Sequence, residues 1–283
     1  MYNIRSYTVS EDSTRMVIDF HTHAFPDALA ARAVTQLAEP IGLIPQTDGT
    51  VSGLLSAMDR WKVDLSIICN IATKAHQTDN VIKFASDTAS AQPRLHPLGS
   101  VHPLCPDINA AIQHIKNAGL RGIKIHPDFM GYDIDDPIFG GIFDGAAESG
   151  LFVVTHAGID AGYPKHVHAT PAMLKRVIRR HPKLKLVAAH FGGNLMWDDV
   201  LDELCGEDIW FDTSLACAEG ADPSPLRRII LSHDSEKILF GSDAPWCAAD
   251  DNIRYLESFG LPGEMYDRIF ESNAVRLLEG RCD

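Results

Sequence analysis

The segment Val17-Ile-Asp-Phe-His-Thr-His23 sets two imidazoles two residues apart. Side chains two apart on an extended strand share a face. Asp19, His21 and His23 are therefore expected to point one way, and Ile18 and Phe20 the other way, toward packed helices. Four later apolar runs end in groups of similar chemistry. Leu151-Phe-Val-Val-Thr-His156, Leu184-Lys-Leu-Val-Ala-Ala-His190 and Gly122-Ile-Lys-Ile-His126 end in histidine, and Ile238-Leu-Phe-Gly-Ser-Asp243 ends in aspartate. Lys124 shares a face with His126. Gly158, Gly192 and Gly193 follow the runs and permit sharp turns and close backbone approach. Three imidazoles and one carboxylate suit zinc with an open position for water, and imidazole also suits other divalent transition metals. A single histidine at a strand end is ordinarily a polar rim residue. The signal here is the set at matching positions.

Such residues meet only if the strand ends share one mouth. β-Branched or apolar runs predict strands at Met16–His21, Leu65–Ile71, Leu95–Val101, Gly122–Ile125, Leu151–Thr155, Leu184–Ala189, Ile209–Asp212 and Ile238–Gly241. Helical patterns lie between them, at Asp27–Leu37, Val51–Trp61, Asn80–Ser90, Ile108–Asn117, Gly141–Ser149, Pro171–Arg180, Met196–Leu204 and Pro225–His233. Extra C-terminal helices are expected at Asn252–Ser258 and Gly263–Leu278. This alternation predicts a parallel sheet with right-handed crossovers. Eight repeats fit a single (β/α)8 TIM barrel spanning residues 1–283, whose chemistry sits at the C-terminal ends of its strands. The rival is an open doubly wound sheet, but no Gly-x-Gly-x-x-Gly follows the first strand. The segment Glu39–Thr50 reads as a longer loop, a candidate lid over the mouth.

Composition bounds the partners. The formal net charge is −13, from 38 acidic and 25 basic residues, which disfavours nucleic acid. No run approaches the roughly 20 apolar residues of a membrane span, and residues 1–15 carry no apolar segment resembling a secretion signal. The six cysteines include no Cys-x-x-Cys pair, so neither a disulfide framework nor a zinc ribbon is expected. The expected setting is the cytoplasm and the expected partner a small molecule, with a homodimer left open. Of the 13 histidines, His76, His96, His102, His114, His181 and His233 read as structural or surface groups. His166 and His168, after the fifth strand, are candidate substrate or solvent contacts. Lys124 is expected to pair with a carboxylate inside the barrel, the alternative being a carbamylated bridge between two metals. Asp19 is expected to orient a ligand histidine.

The chain resembles the amidohydrolase superfamily, in its amidohydrolase-2 branch of metal-dependent TIM-barrel hydrolases. The resemblance rests on Ile18-Asp-Phe-His-Thr-His-Ala-Phe-Pro26, Gly122-Ile-Lys-Ile-His-Pro127, Thr155-His-Ala-Gly158, Ala189-His-Phe-Gly-Gly193, Gly241-Ser-Asp-Ala-Pro245 and Ser272-Asn-Ala274, in order along nearly the whole chain. It implies one divalent ion, expected to be zinc, held by His21, His23, His156 and Asp243, with His190 as a catalytic histidine beside it. The implied activity is metal-assisted hydrolysis of an amide, ester or lactone. Asp243 would take the proton of a metal-activated water and His190 would stabilise charge on the substrate oxygen. The branch also includes decarboxylases such as aminocarboxymuconate-semialdehyde decarboxylase, whose first motif resembles Asp19–Pro26, so non-oxidative decarboxylation of a small carboxylic acid is the alternative. That alternative needs a basic group for the carboxylate, and Lys165 and Arg32 are candidates. A catalytically inactive binding barrel is the third reading, and the complete ligand set argues against it.

Overall fold

The computed structural model describes residues 15–39, 42–163, 165–215 and 222–280. The polar start of the chain, Cys217 and Cys282 lie outside these ranges, so the leader reading is not addressed. Strand β1 (Ile18–Thr22) pairs in parallel with β2 (Leu65–Ile68). Strands β3 (Gly122–Ile125), β4 (Phe152–Thr155), β5 (Leu186–Ala188), β6 (Trp210–Asp212) and β7 (Ile238–Leu239) form a second parallel sheet in chain order. Backbone bonds join the two sheets on both sides. The Ser66 N–H donates to Arg94 O at 3.0 Å, His96 N–H to Ser66 O at 2.9 Å, and Leu98 N–H to Ile68 O at 2.9 Å. Onward from this segment, Gly99 N–H reaches Gly122 O at 3.0 Å and Lys124 N–H reaches Gly99 O at 2.8 Å. At the other seam Phe20 N–H donates to Phe240 O (2.7 Å), Asp243 N–H to His21 O (2.7 Å) and His23 N–H to Ala244 O (2.6 Å). The ring therefore closes with eight positions, as a (β/α)8 barrel should.

The expected strand Leu95–Val101 fills the third position without a regular ladder. Pro97 has no N–H to give, and isolated bridges Ser66–Leu95 and Gly99–Ile123 take the place of continuous pairing. Gly99 is required there, because a Cβ would lie 2.5 Å from the Ile115 side chain beneath it.

Helices α1 (Asp27–Ala38), α2 (Val51–Trp61), α3 (Thr78–Ala91), α4 (Ile108–Asn117), the short α5 (Pro127–Met130), α6 (Gly140–Ser149), α7 (Pro171–Arg180), α8 (Trp197–Glu203), α9 (Ser224–Ser232) and α10 (Ala249–Glu257) occupy the crossovers. Helix α7 shows why. The Thr170 hydroxyl caps it by accepting from Met173 N–H at 3.3 Å, and Pro171 opens it. Leu174, Val177 and Ile178 recur at helical spacing and are buried, while Arg179 and Arg180 meet the negative end of the dipole. Each such buried side chain contributes roughly 1.5–3 kcal/mol.

The core has two layers. Residues such as Ile123, Val153, Leu186, Phe211 and Ile238 face the helices. Phe152, Val154, Val187, Trp210 and Leu239 face the barrel interior, whose floor is closed by Ala274, Leu277 and Leu278 of α12 (Asn273–Glu279). Ile18 and Phe20 join this interior layer, contrary to the expectation that they pack on the helices. Alternation holds from Met16 through Phe20, with Val17 on the helix-facing core, and the register shift between Asp19 and Thr22 comes after Ile18, on the way to the mouth. The late helix expected as one piece is broken into α11 (Gly263–Asp267), a π turn at Arg268–Ser272, and α12. The candidate lid, where described, folds onto the rim after β7 through Gln46 N–H to Pro245 O at 2.7 Å. Among the described residues no helix is long and apolar enough to cross a membrane, and Cys69, Cys105 and Cys205 are free thiols.

Candidate metal centre

At the upper end of β1 the ring closure brings His21, His23 and Asp243 together. Asp243 Oδ1 lies 3.1 Å from His23 Nε2 and 3.5 Å from His21 Nε2. Asp243 has a left-handed backbone (φ +68°), as do His190 (φ +58°) and Phe191 (φ +57°). Each such residue costs on the order of 1–3 kcal/mol, and at positions 190 and 243 the strained turns carry groups of this cluster. Gly158 permits the same crowding from β4, since a Cβ there would lie 2.1 Å from the Asn194 backbone nitrogen.

Asp212, at the end of β6, organises the imidazoles. Its Oδ2 accepts from His21 Nδ1–H at 2.8 Å. Its Oδ1 accepts from the backbone N–H groups of His190 (3.0 Å) and Ser214 (3.1 Å) and from the Ser214 hydroxyl. With that proton given to Asp212, Ser214 Oγ can only accept from His190 Nδ1–H, 2.7 Å away. His190 Nε2 then accepts from His156 Nδ1–H at 3.0 Å. The pattern assigns one tautomer to each ring. It leaves unprotonated Nε2 atoms on His21, where Lys124 Nζ lies 3.1 Å away, and on His156, the form in which histidine binds a metal. His156 Nε2 is buried and has no hydrogen-bond partner. A buried nitrogen without a hydrogen-bond partner, among ligand-type groups, is a donor suited to a metal. The residues present therefore fit a divalent ion.

The electrostatics agree. Burial, and then the neighbouring Lys124 and imidazoles, holds His21 well below the ordinary histidine range. Burial leads the same shift at His126, His156 and His190, so these rings stay neutral and able to ligate. Burial raises Asp243, opposed by its hydrogen bond to His23.

A second group faces this one across the mouth. The His126 and His156 rings stack with centroids 4.2 Å apart, and His126 Nε2 lies 3.3 Å from Asp160 Oδ2. Asp128, 3.6 Å from His126 Nδ1, is raised to about 6 by burial.

Several expectations change. Among the described residues Asp19 bonds to no imidazole ring; it accepts from the Ser242 hydroxyl and from the Ser242 and His21 N–H groups, and so fixes the turn that carries Asp243. Burial raises it to about 7. The orienting carboxylate is Asp212. It was missed because it ends a strand without a histidine, although Trp210 and Asp212 share the inward parity. Lys124 pairs with no carboxylate at ion-pair distance among the described residues; its Nζ lies 3.1 Å from His21 Nε2. His190, expected to face substrate, has both ring nitrogens engaged, by Ser214 and His156. His166 and His168 lie apart from the cluster and meet Asp133. Arg32 and Lys165 are exposed.

A sequence model described as amidohydrolase matches residues 18–280 of the chain. No curated protein matches it. Among solved structures, 5-carboxyvanillate decarboxylase from Novosphingobium aromaticivorans, holding manganese and 3-methoxy-4-hydroxy-5-nitrobenzoic acid, is similar at 14% identity and TM-score 0.71, over 96% of this chain and 99% of that one. For 2,6-dihydroxybenzoate decarboxylase from Rhizobium the values are 15%, 0.70, 95% and 100%. For a 2-pyrone-4,6-dicarboxylic acid hydrolase of Pseudomonas putida, so named provisionally, they are 16%, 0.66, 96% and 100%. Identities this low speak to the shared fold.

Proposed function

The chain belongs to the amidohydrolase family, a family of metal-dependent enzymes, and on that premise we propose that it removes CO2 without oxidation from a small carboxylic acid bound at the barrel mouth. Lys124 carries this reading. Among the described residues it is the one fully buried lysine or arginine, and it has no carboxylate partner at ion-pair distance. Burying a lysine whose neighbour is an imidazole nitrogen and not an anion is costly, and a substrate carboxylate would supply the missing negative charge. That two of the similar structures are decarboxylases of aromatic hydroxy acids supports the same substrate class.

His21, His23, His156 and Asp243 would hold the ion, zinc or manganese. When bound, it would supply Lewis-acid polarisation of a substrate oxygen. Asp212 and Ser214 keep the ligand rings in their binding tautomers, and His190 holds His156. Asp243, raised by burial, is suited to hold the proton that replaces the departing carboxyl group. The bond between the substrate carbon and its carboxylate breaks, the electron pair stays on the substrate carbon, and the proton takes the place of the carboxyl group as CO2 leaves.

Hydrolysis is the second reading. The same carboxylate, beside His21 and His23, is placed to take a proton from water, and one similar structure is named as a hydrolase. The test is to incubate metal-loaded protein in D2O with hydroxybenzoic and related unsaturated acids, alongside esters and lactones of matched size. The proposal expects CO2 and a product with one deuterium on the carbon that had carried the carboxyl group. Ester or lactone cleavage with no CO2 from any acid would overturn it. Lys124→Met should raise KM for the acid by at least about tenfold, the value of roughly one charged hydrogen bond. An unchanged KM would remove Lys124 from carboxylate recognition.

A further inference from the structure

We infer that Asp133, His166 and His168 form a second divalent-metal site, independent of the mouth cluster, which clips the loop after β4 to the loop after β3. Asp133 Oδ1 lies 2.7 Å from His166 Nε2 and 2.8 Å from His168 Nδ1. The two rings meet edge to face with centroids 4.3 Å apart. Two ring nitrogens therefore converge on one carboxylate oxygen, and all three ligand atoms lie within 4.8 Å of one another. Among the described residues Asp133 meets no lysine or arginine at ion-pair distance. An N2O donor set of this kind suits zinc, with water completing the shell. The His166 side chain is 58% exposed, so an ion can enter from solvent.

The backbone holds His168 in place. Its carbonyl accepts from Ile134 N–H at 2.7 Å, and its own N–H reaches Asp128 Oδ1 at 3.4 Å. One ligand is thus set before the ion binds, which lowers the ordering cost of closing the site. The clip also has a consequence for the mouth. The loop it secures carries Asp160, which touches His126, whose ring stacks on His156. Zinc at the clip would fix the wall against which substrate is held.

The test uses full-length protein stripped with a chelator and titrated with Zn2+ against a chromophoric competitor. The wild type should bind one zinc more than the His166→Ala/His168→Ala double variant, with a dissociation constant in the micromolar range or tighter. His166→Ala alone changes an exposed side chain and should show the same loss if the double variant folds poorly. His23→Ala should lose only the mouth ion, so failure of the clip and failure of the proposed function read out separately. Zinc should also slow tryptic cleavage after the exposed Lys165 in the wild type and not in the double variant. Equal zinc counts in wild type and variant, or extra zinc bound only at millimolar concentration, would overturn the site and leave a hydrogen-bonded loop contact.

Discussion

Asp243→Asn is expected to lower kcat by about 10²–10⁴-fold, the range usual for losing a group that moves a proton in the transition state. The expectation follows from where the chain puts this carboxylate. The turn after β7 is left-handed at Asp243 and is pinned by its N–H to His21 O. Its side chain is buried between His21 and His23, and burial raises its protonation range. Asparagine keeps the shape and one oxygen donor but can neither hold nor release the proton. The loss should therefore fall on kcat rather than on substrate affinity, in decarboxylation and hydrolysis alike. Activity must be normalised to bound metal, because a weaker ligand would mimic the effect. Near wild-type kcat in metal-replete protein would show that Asp243 is not the proton carrier.

Asp212→Asn is expected to weaken metal binding by about 10–100-fold, the usual effect of losing a carboxylate that orients a ligand imidazole. It should also destabilise the fold by about 1–3 kcal/mol, because buried donors lose their acceptor. Asp212 accepts from four donors, on two oxygens. The amide offers one oxygen, so its NH2 must face either His21 Nδ1 or the Ser214–His190 side. Against His21 it would push the proton to Nε2 and remove the lone pair that binds metal. Against Ser214 it would reverse the relay that leaves His156 Nε2 bare. His190→Ala should be milder, since it removes one prop of His156 and leaves all four proposed ligands. The check is competitive metal titration of both variants beside thermal unfolding. Wild-type metal affinity in Asp212→Asn would contradict the tautomer account.

The barrel was legible because apolar runs and amphipathic helices alternate through the chain, and most element boundaries fell within two or three residues. The departures have local causes. Pro97 and Gly99 leave the third position without a ladder, although its place in the ring is kept by bonds to Ser66, Ile68 and Gly122. In β1 Met16, Ile18 and Phe20 keep a period of two on the interior face, and with the register shift before Thr22 the adjacent His21 joins the mouth as well, which a strict period of two does not predict. The cluster of His21, His23 and Asp243 was readable because all three end strands of one barrel. Asp212 had the same signal, a carboxylate at an inward strand end, but lacked a histidine to draw notice. Ser214 and Asp160 sit in loops, and their contacts depend on turns that no periodicity encodes. His166 and His168 were visible as a spaced pair, whereas Asp133 comes from another loop more than 30 residues earlier.

The most direct test of the metal-dependent account is anomalous diffraction from crystals loaded with manganese or zinc, read at the mouth of the barrel. The account predicts one mouth peak coordinated by His21 Nε2, His23 Nε2 and Asp243, with His156 Nε2 completing the protein ligands, whether or not a separate peak marks Asp133. Absence of a peak between those groups in metal-replete crystals, or a mouth ion held instead by His126, His156 and Asp160, would contradict it.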